Sequence, residues 1–183
     1  MMNHLEIRPP ATEQEIRQLW ALNHDVFSLE LQQHEVHGDG CLVDKFHHKN
    51  YYIAAWNGTE AVGMVCAHFQ PPFSAVEKFG AAINAAIIPG ATAEIRLLAV
   101  KPAYRHSLVM PKMGARIFTY LAGHGITQLI ISGVAEQKRF YERIGFRAIG
   151  EPVRNGGAWF YPMTASLPDV LAWSTNIIAR CQK

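Results

Sequence analysis

The sequence predicts one α/β domain: a mixed, mostly antiparallel sheet with helices on both faces. Three observations predict it. Short apolar strands dominate the first hundred residues, with Asn57-Gly58 as a hairpin turn. Residues 93–144 then alternate strand, helix, strand, helix, and two further strands around Asn155-Gly156-Gly157 precede a terminal helix. With 183 residues and 49% apolar content, the chain can bury one sizeable core, and the composition argues against disorder.

Taken in order, Leu5 to Arg8 is a short strand ended by Pro9-Pro10, and Thr12-Glu-Gln-Glu15 is a capping box. Ile16, Leu19, Trp20 and Asn23 continue at helical spacing to about Phe27, where Ser28 is expected to cap a second helix through Leu29 to Val36. Gly38-Asp-Gly40 breaks the chain before the hairpin strands, Tyr51 to Trp56 and Ala61 to Phe69, which Pro71-Pro72 ends. Phe73 to Ile88 connects onward, with a short helix carrying Val76, Phe79, Ala82 and Ile83. Ala93 to Val100 is a strand. A helix starts near Pro111, where proline is welcome, and stops at His124-Gly125. Thr127 to Gly133 is a buried strand and Ala135 to Ile144 a helix ended by Gly145. Phe146 to Val153 and Ala158 to Leu167 are strands, and a helix begins at Pro168.

Composition excludes several function classes. The opening residues carry charge with no apolar run behind them, and the most apolar segment, 80–93, is interrupted and too short to span a bilayer. Cys41, Cys66 and Cys181 are widely spaced, which fits a reducing, cytoplasmic setting and no zinc knuckle. His34-Glu-Val-His37 and His47-His48 stand with no cysteine or carboxylate in a recognised zinc pattern, so no metal is expected. Net charge is +2, yet residues 1–100 hold 6 Lys/Arg against 11 Asp/Glu while 101–147 hold 8 against 2. That basic block predicts an anionic ligand or acidic carrier rather than nucleic acid, for which no recognition motif stands here.

The chemistry concentrates in 93–146. Strict alternation puts Glu94, Arg96, Leu98 and Val100 on one face, so Glu94 is a candidate base for an ammonium if a dry site raises its pKa. The plainer alternative pairs it with Arg96. The loop after Lys101 offers Arg105, backbone amides and a helix N-terminus to a phosphate, the alternative being a solvated basic loop. Tyr141 is either a proton donor or a core aromatic beside Phe140 and Ile144.

Ala-Glu-Ile-Arg-Leu-Leu-Ala-Val (93–100) and Phe-Tyr-Glu-Arg-Ile-Gly-Phe (140–146) resemble the core of the GNAT superfamily of acyl-CoA-dependent N-acyltransferases, loosely over Leu5 to Leu167 and specifically over Glu94 to Phe146. The resemblance implies a GNAT fold in a single domain 1–183, with 1–92 on the acceptor side, 93–153 binding the acyl thioester, and 154–183 adding the last strand and helix. It implies Glu94 as general base and Tyr141 as proton donor to the leaving thiolate. The pantetheine arm would lie along Leu98, Ala99 and Val100, where a bulge splays the strand, with the amide of Ala99 or Val100 polarising the carbonyl. Arg105, His106, Ser107, Leu108, Val109 and Met110 would hold the phosphates.

The usual pattern of that loop is Arg or Gln, two residues, Gly, one residue, then Gly or Ala; here glycine waits until Gly114. With Phe27-Ser-Leu-Glu30, Asp44-Lys45-Phe46 and the 113–125 helix, this looks more like the branch of N-acyl amino acid synthases and acyl-homoserine lactone synthases. That branch uses long acyl chains, often from acyl carrier protein. It tends to have Asp where His47 stands and Arg near His24 and at His68, so lactone synthesis is not assigned. The resemblance implies acyl transfer from acetyl-CoA, a longer acyl-CoA or acyl carrier protein to a small-molecule primary amine by direct attack. A long-chain N-acyl amino acid synthase and a non-catalytic acyl-CoA-binding module are its alternatives, and it admits a homodimer.

Overall fold

In the computed structural model, residues 5–181 are described; Met1–His4, on which the reading of the chain's opening partly falls, and 182–183 lie outside them. Eight strands form one sheet: β1 (Glu6–Arg8), β2 (Tyr51–Asn57), β3 (Glu60–His68), β4 (Thr92–Val100), β5 (Gln128–Val134), β6 (Arg147–Ala148), β7 (Val153–Asn155) and β8 (Ala158–Ser166). Their order is β1-β2-β3-β4-β5-β8-β6, with β7 also on β8. Only β4 and β5 run parallel; every other pair is antiparallel.

Helix α1 (Glu13–His24) covers one face, with Leu19 and Leu22 on Tyr52, Ala54, Trp56 and Met64. Helices α4 (Val109–Gly123) and α6 (Leu167–Arg180) cover the other, with Met113, Ile117, Leu121 and Val170 on Ile53, Ala55 and Val65. Both faces of β2 and β3 are therefore dry, which explains their unbroken apolar runs. Gly63 lets α4 lie close on β3: a Cβ there would stand 3.1 Å from the Val109 and Met113 side chains.

Two short helices, α2 (Ser74–Phe79) and α3 (Ala81–Asn84), follow β3 on the α1 side and close a third apolar cluster of Phe73, Phe79, Ile83, Ile130 and Phe160. Helix α5 (Lys138–Ile144) ends at Gly145, φ 117°, a left-handed position open to glycine.

The capping box forms with one change. Thr12 Oγ1 accepts from the Glu15 amide at 3.2 Å, but the Glu15 carboxylate takes the Ala11 amide at 2.6 Å and both terminal nitrogens of Arg8, tying β1 to α1. The predicted second helix is not an α-helix: α1 widens into a π-helical turn, Asp25–Glu30, and the chain then runs irregularly. The predicted strand 146–153 is two pieces, β6 and β7. Helix α4 starts two residues before Pro111, because the Ser107 hydroxyl accepts from the Val109 amide at 3.2 Å.

Candidate functional site

The sheet opens at its centre. β4 and β5 pair only at Thr92↔Gln128, Ala93↔Leu129 and Glu94↔Ile130; beyond that β5 stays with β8 and β4 with β3. The parting is built into β4. Its register against β3 shifts between Cys66↔Arg96 and Met64↔Ala99, and Leu97 takes a left-handed φ of 53°, a strained value for leucine.

This bulge corrects the predicted alternation. Glu94 and Arg96 share the α1 face with Leu97 and Ala99, while Leu98 and Val100 pack on the α4 side. It also sorts the backbone amides. The Lys101 amide donates to Val62 in β3 at 2.9 Å, so alternation turns the Val100 N–H to the opposite edge, into the gap, and commits Ala99 to the β3 ladder. Of the two amides expected to polarise a carbonyl, Val100 has the free direction.

Glu94 closes the gap at its narrow end and is almost wholly buried, at 1% exposure. Its carboxylate accepts from the Ser74 amide at 2.9 Å, the Ser74 hydroxyl at 2.8 Å and the Ala75 amide at 2.8 Å, so it stitches α2 to the sheet. His68 Nε2 stands 3.2 Å away, and an Arg96 nitrogen 3.5 Å. Arg96 in turn reaches Ser74 and Asp44 and lies over the Phe46 ring. Burial alone would push the Glu94 carboxyl up. The His68 contact, the Arg96 charge and the Ser74 donors outweigh it and hold the pKa at about 2. The raised pKa expected of a base is therefore not found, and the pairing with Arg96 is.

Tyr141 lies across the gap. Its ring covers Gly133 of β5, where a Cβ would approach Tyr141 Cδ2 to 3.1 Å and Met163 Sδ to 2.5 Å. Burial pushes the phenol up to about 12, partly offset by the Val134 backbone N–H at its oxygen. It remains a proton donor through the neutral range, half-buried among Phe140 and other members of the α4-side core.

The loop beyond β4 is arranged differently. Arg105 makes a two-pronged pair with Glu30 of the π-helical turn, at 2.6 Å for both bonds, and its Nε donates to Val100 O at 2.9 Å. Lys101 pairs with Glu60 at 2.6 Å. Glu30, Glu60 and Lys101 border a cleft of ≈ 460 Å³ against Leu22, Val26 and Tyr104. His106, φ 62°, and Ser107 are exposed, Leu108 and Met110 are half-buried, and the Val109 side chain is buried in the core. Of 105–110, Arg105 and the backbone at the start of α4 remain as groups for an anion.

A family model, N-acyl amino acid synthase FeeM, matches residues 18–166. The chain belongs to that family. Among solved structures, the FeeM family fold recurs in the CoA-dependent acyl-homoserine lactone synthase BjaI with SAM and isopentyl-CoA, at TM-score 0.78 and 18% identity, covering 95% of this chain and 90% of that one. FeeM itself, an N-acyl amino acid synthase from uncultured soil microbes, aligns at TM-score 0.73 and 15% identity over 91% and 94% of the two chains. A putative N-acetyltransferase from Lactobacillus plantarum aligns at 0.66 and 17% over 90% and 99%. No curated protein sequence matches.

Within this FeeM family member, sequence reasoning missed the partners of Glu94: His68, Ser74 and the reach of Asp44 to Arg96. Ser74 and Asp44 are 20 and 52 residues from theirs, with only the Asp44-Lys45-Phe46 motif as a signal. At two of the three departures the structure shows why histidine serves. His24 Nε2 accepts from the His37 amide at 3.1 Å and holds the 31–37 segment in place. His68 sets Nδ1 3.1 Å from Gln70 O and Nε2 3.2 Å from the Glu94 carboxylate, so the ring lies between two acceptors. His47 instead shares the Tyr52 hydroxyl at 3.1 Å. Among the described residues no three His, Cys, Asp or Glu side chains gather as a metal site, and no helix is long and apolar enough to cross a membrane.

Proposed function

We propose that this protein transfers an acyl group from a thioester, acyl-CoA or acylated carrier protein, to the primary amine of an amino acid. The parting of β4 and β5 beyond Glu94↔Ile130 carries the reading, because it sets the Val100 N–H on one side of a gap and the Tyr141 phenol on the other. The donor's thioester lies in that gap from the α4 side, and the acceptor comes from the side of α1 and α2. Of the described residues, those up to 92 then supply the acceptor wall, 93–153 hold the thioester, and those from 154 close the sheet.

The free amine attacks the thioester carbon. A C–N bond forms, and charge on the carbonyl oxygen is met by the Val100 N–H, a donor fixed before the reaction. Collapse breaks the C–S bond. Tyr141 gives its proton to the sulfur and recovers one from the nitrogen, directly or through water, leaving amide and free thiol. Glu94, held at a pKa of about 2, is too weak a base to keep a proton from an ammonium; it holds α2 and the acceptor wall in place. In-line binding of both substrates supplies much of the acceleration.

The absence of glycine between Lys101 and Gly114 and the Arg105–Glu30 pair favour a carrier protein or long acyl chain over acetyl-CoA as donor. The test is thiol release with acetyl-CoA, decanoyl-CoA and decanoyl carrier protein against the twenty amino acids. Tyr141→Phe is expected to lower kcat about 10- to 100-fold with donor KM within about threefold. No thiol release with any pair would sink the reading, and an unchanged kcat in Tyr141→Phe would remove the tyrosine from it.

A further inference from the structure

Lys78 is a cation that neither the site above nor the fold employs. Every other cation around it has partners. Lys45 pairs with Glu77, Lys49 donates to the carbonyls of Gln70 and Pro72, and Arg96 is shared between Asp44 and Ser74. Among the described residues, Lys78 has no carboxylate or carbonyl partner. Its ammonium instead lies 3.8 Å from the centre of the Phe160 ring and 6.0 Å from that of Phe79.

Its position is fixed by elements already described. Ser74, clamped by Glu94, begins α2, and Lys78 is four residues on, one turn further along the same helical face. Phe160, under the ammonium, stands opposite Val134 on β5, whose backbone N–H meets the Tyr141 phenol. The side chain thus runs from the Glu94 end of the gap toward the Tyr141 end, on the acceptor face.

We propose that Lys78 receives the carboxylate of the amino-acid acceptor, with Phe160 as the floor of that subsite. This rests on the acyl-transfer reading and adds to it a residue that reads the acceptor. A carboxylate on Lys78 supplies the missing counter-ion and leaves the α-amino group, two bonds from the carboxyl carbon, free to turn toward the gap. The charges around the ammonium favour such a ligand. Arg96 and Lys45 add positive potential, while Glu94, Asp44 and Glu77 are engaged by Ser74, Arg96 and Lys45. Burial and the Arg96 charge lower the Lys78 pKa to about 8, the mark of an ammonium kept without an anion.

The experiment compares the best amino-acid acceptor with the amine made from it by removing the carboxyl group, in wild type, Lys78→Met and Lys78→Arg. Lys78→Met is expected to raise the amino-acid KM about 10- to 100-fold, the size of a lost charge-assisted hydrogen bond, and to move the KM of the amine by less than about threefold. Lys78→Arg is expected to restore most of the difference. Saturating amino acid is also expected to protect Lys78 from reductive methylation, read by peptide mass spectrometry. An equal rise in both KM values, no rise at all, or no protection overturns the proposal. If wild type acylates amine and amino acid equally well, this subsite falls and the transferase reading stands; if it acylates neither, the transferase reading has failed.

Discussion

The two ends of β4 hold their charges in opposite ways. At the Glu94 end, Glu94 and His68 are buried and the half-buried Asp44 has its carboxylate largely covered, with their partners on three separate segments of chain, 44–50, 68–74 and β4 itself. At the Val100 end, Arg105 and Lys101 pair with Glu30 and Glu60 while remaining a third or more exposed. In the first, removing one partner strands the others in a dry wall; in the second, water takes over. On the proposed reading the acceptor side is thus preorganised, whereas the donor side can exchange its own carboxylates for the phosphates of a ligand.

The largest effect is expected from breaking the buried end. Glu94→Ala leaves the buried Arg96 guanidinium without this carboxylate and the first amides of α2 without an acceptor, a loss of about 3–5 kcal/mol in chemical denaturation. Arg105→Ala should cost no more than about 1 kcal/mol in the same measurement, since its pair is exposed. Acid sharpens the contrast. The Glu94 pKa is lowered from 4.5 to about 2 in the fold, so its contribution is complete above 4.5 and is lost as pH falls through 2. That amounts to about 3 kcal/mol. Wild type should show this acid limb and Glu94→Gln should lack it; identical pH profiles would mean that Glu94 is not held as described.

Gly133 gives an intermediate effect, read in catalysis more than in stability. A methyl group there meets Met163 Sδ at 2.5 Å and the Tyr141 ring at 3.1 Å, and the methionine has room to yield only at the expense of the core. Gly133→Ala is expected to destabilise by about 1–3 kcal/mol and to displace the phenol. Its kcat should therefore fall together with that of Tyr141→Phe, and the double variant should be no worse than the poorer single one. Additive losses would mean that Gly133→Ala acts by a route other than the Tyr141 phenol.

Much of this was legible in the sequence, and what was not has a common cause. The hairpin at Asn57-Gly58, the Thr12 cap, β4, β5 and the two central helices follow from local pattern. The bulge at Leu97 does not, because Arg-Leu-Leu-Ala reads as regular strand and only the register against β3 reveals the extra residue. The π-helical turn at Asp25–Glu30 hides for the same reason: its residues suit an α-helix, and it sets Glu30 where Arg105 can reach it, 75 residues on. Glu94 stood out as a carboxylate on the right strand. Its pKa went the other way because Ser74, Ala75 and His68 arrive from distant sequence, and no local pattern announces them.

The smallest effect tests the open end of the strand. Glu30 occupies the guanidinium that a phosphate would need, so each donor must displace it or bind beside it. Glu30→Gln keeps the shape of the side chain, removes the competing charge and frees Arg105. The expected result is a two- to fivefold lower KM for acyl-CoA, consistent with an exposed pair worth about 0.2–1 kcal/mol, with kcat unchanged. Because the freed Arg105 then works through charge alone, the gain should shrink as salt rises from about 0.05 to 0.5 M. A KM that rises, or one indifferent to salt, would place the donor's phosphates away from Arg105. A gain for acyl-CoA with none for the acylated carrier would show that the two donors use different parts of the basic block.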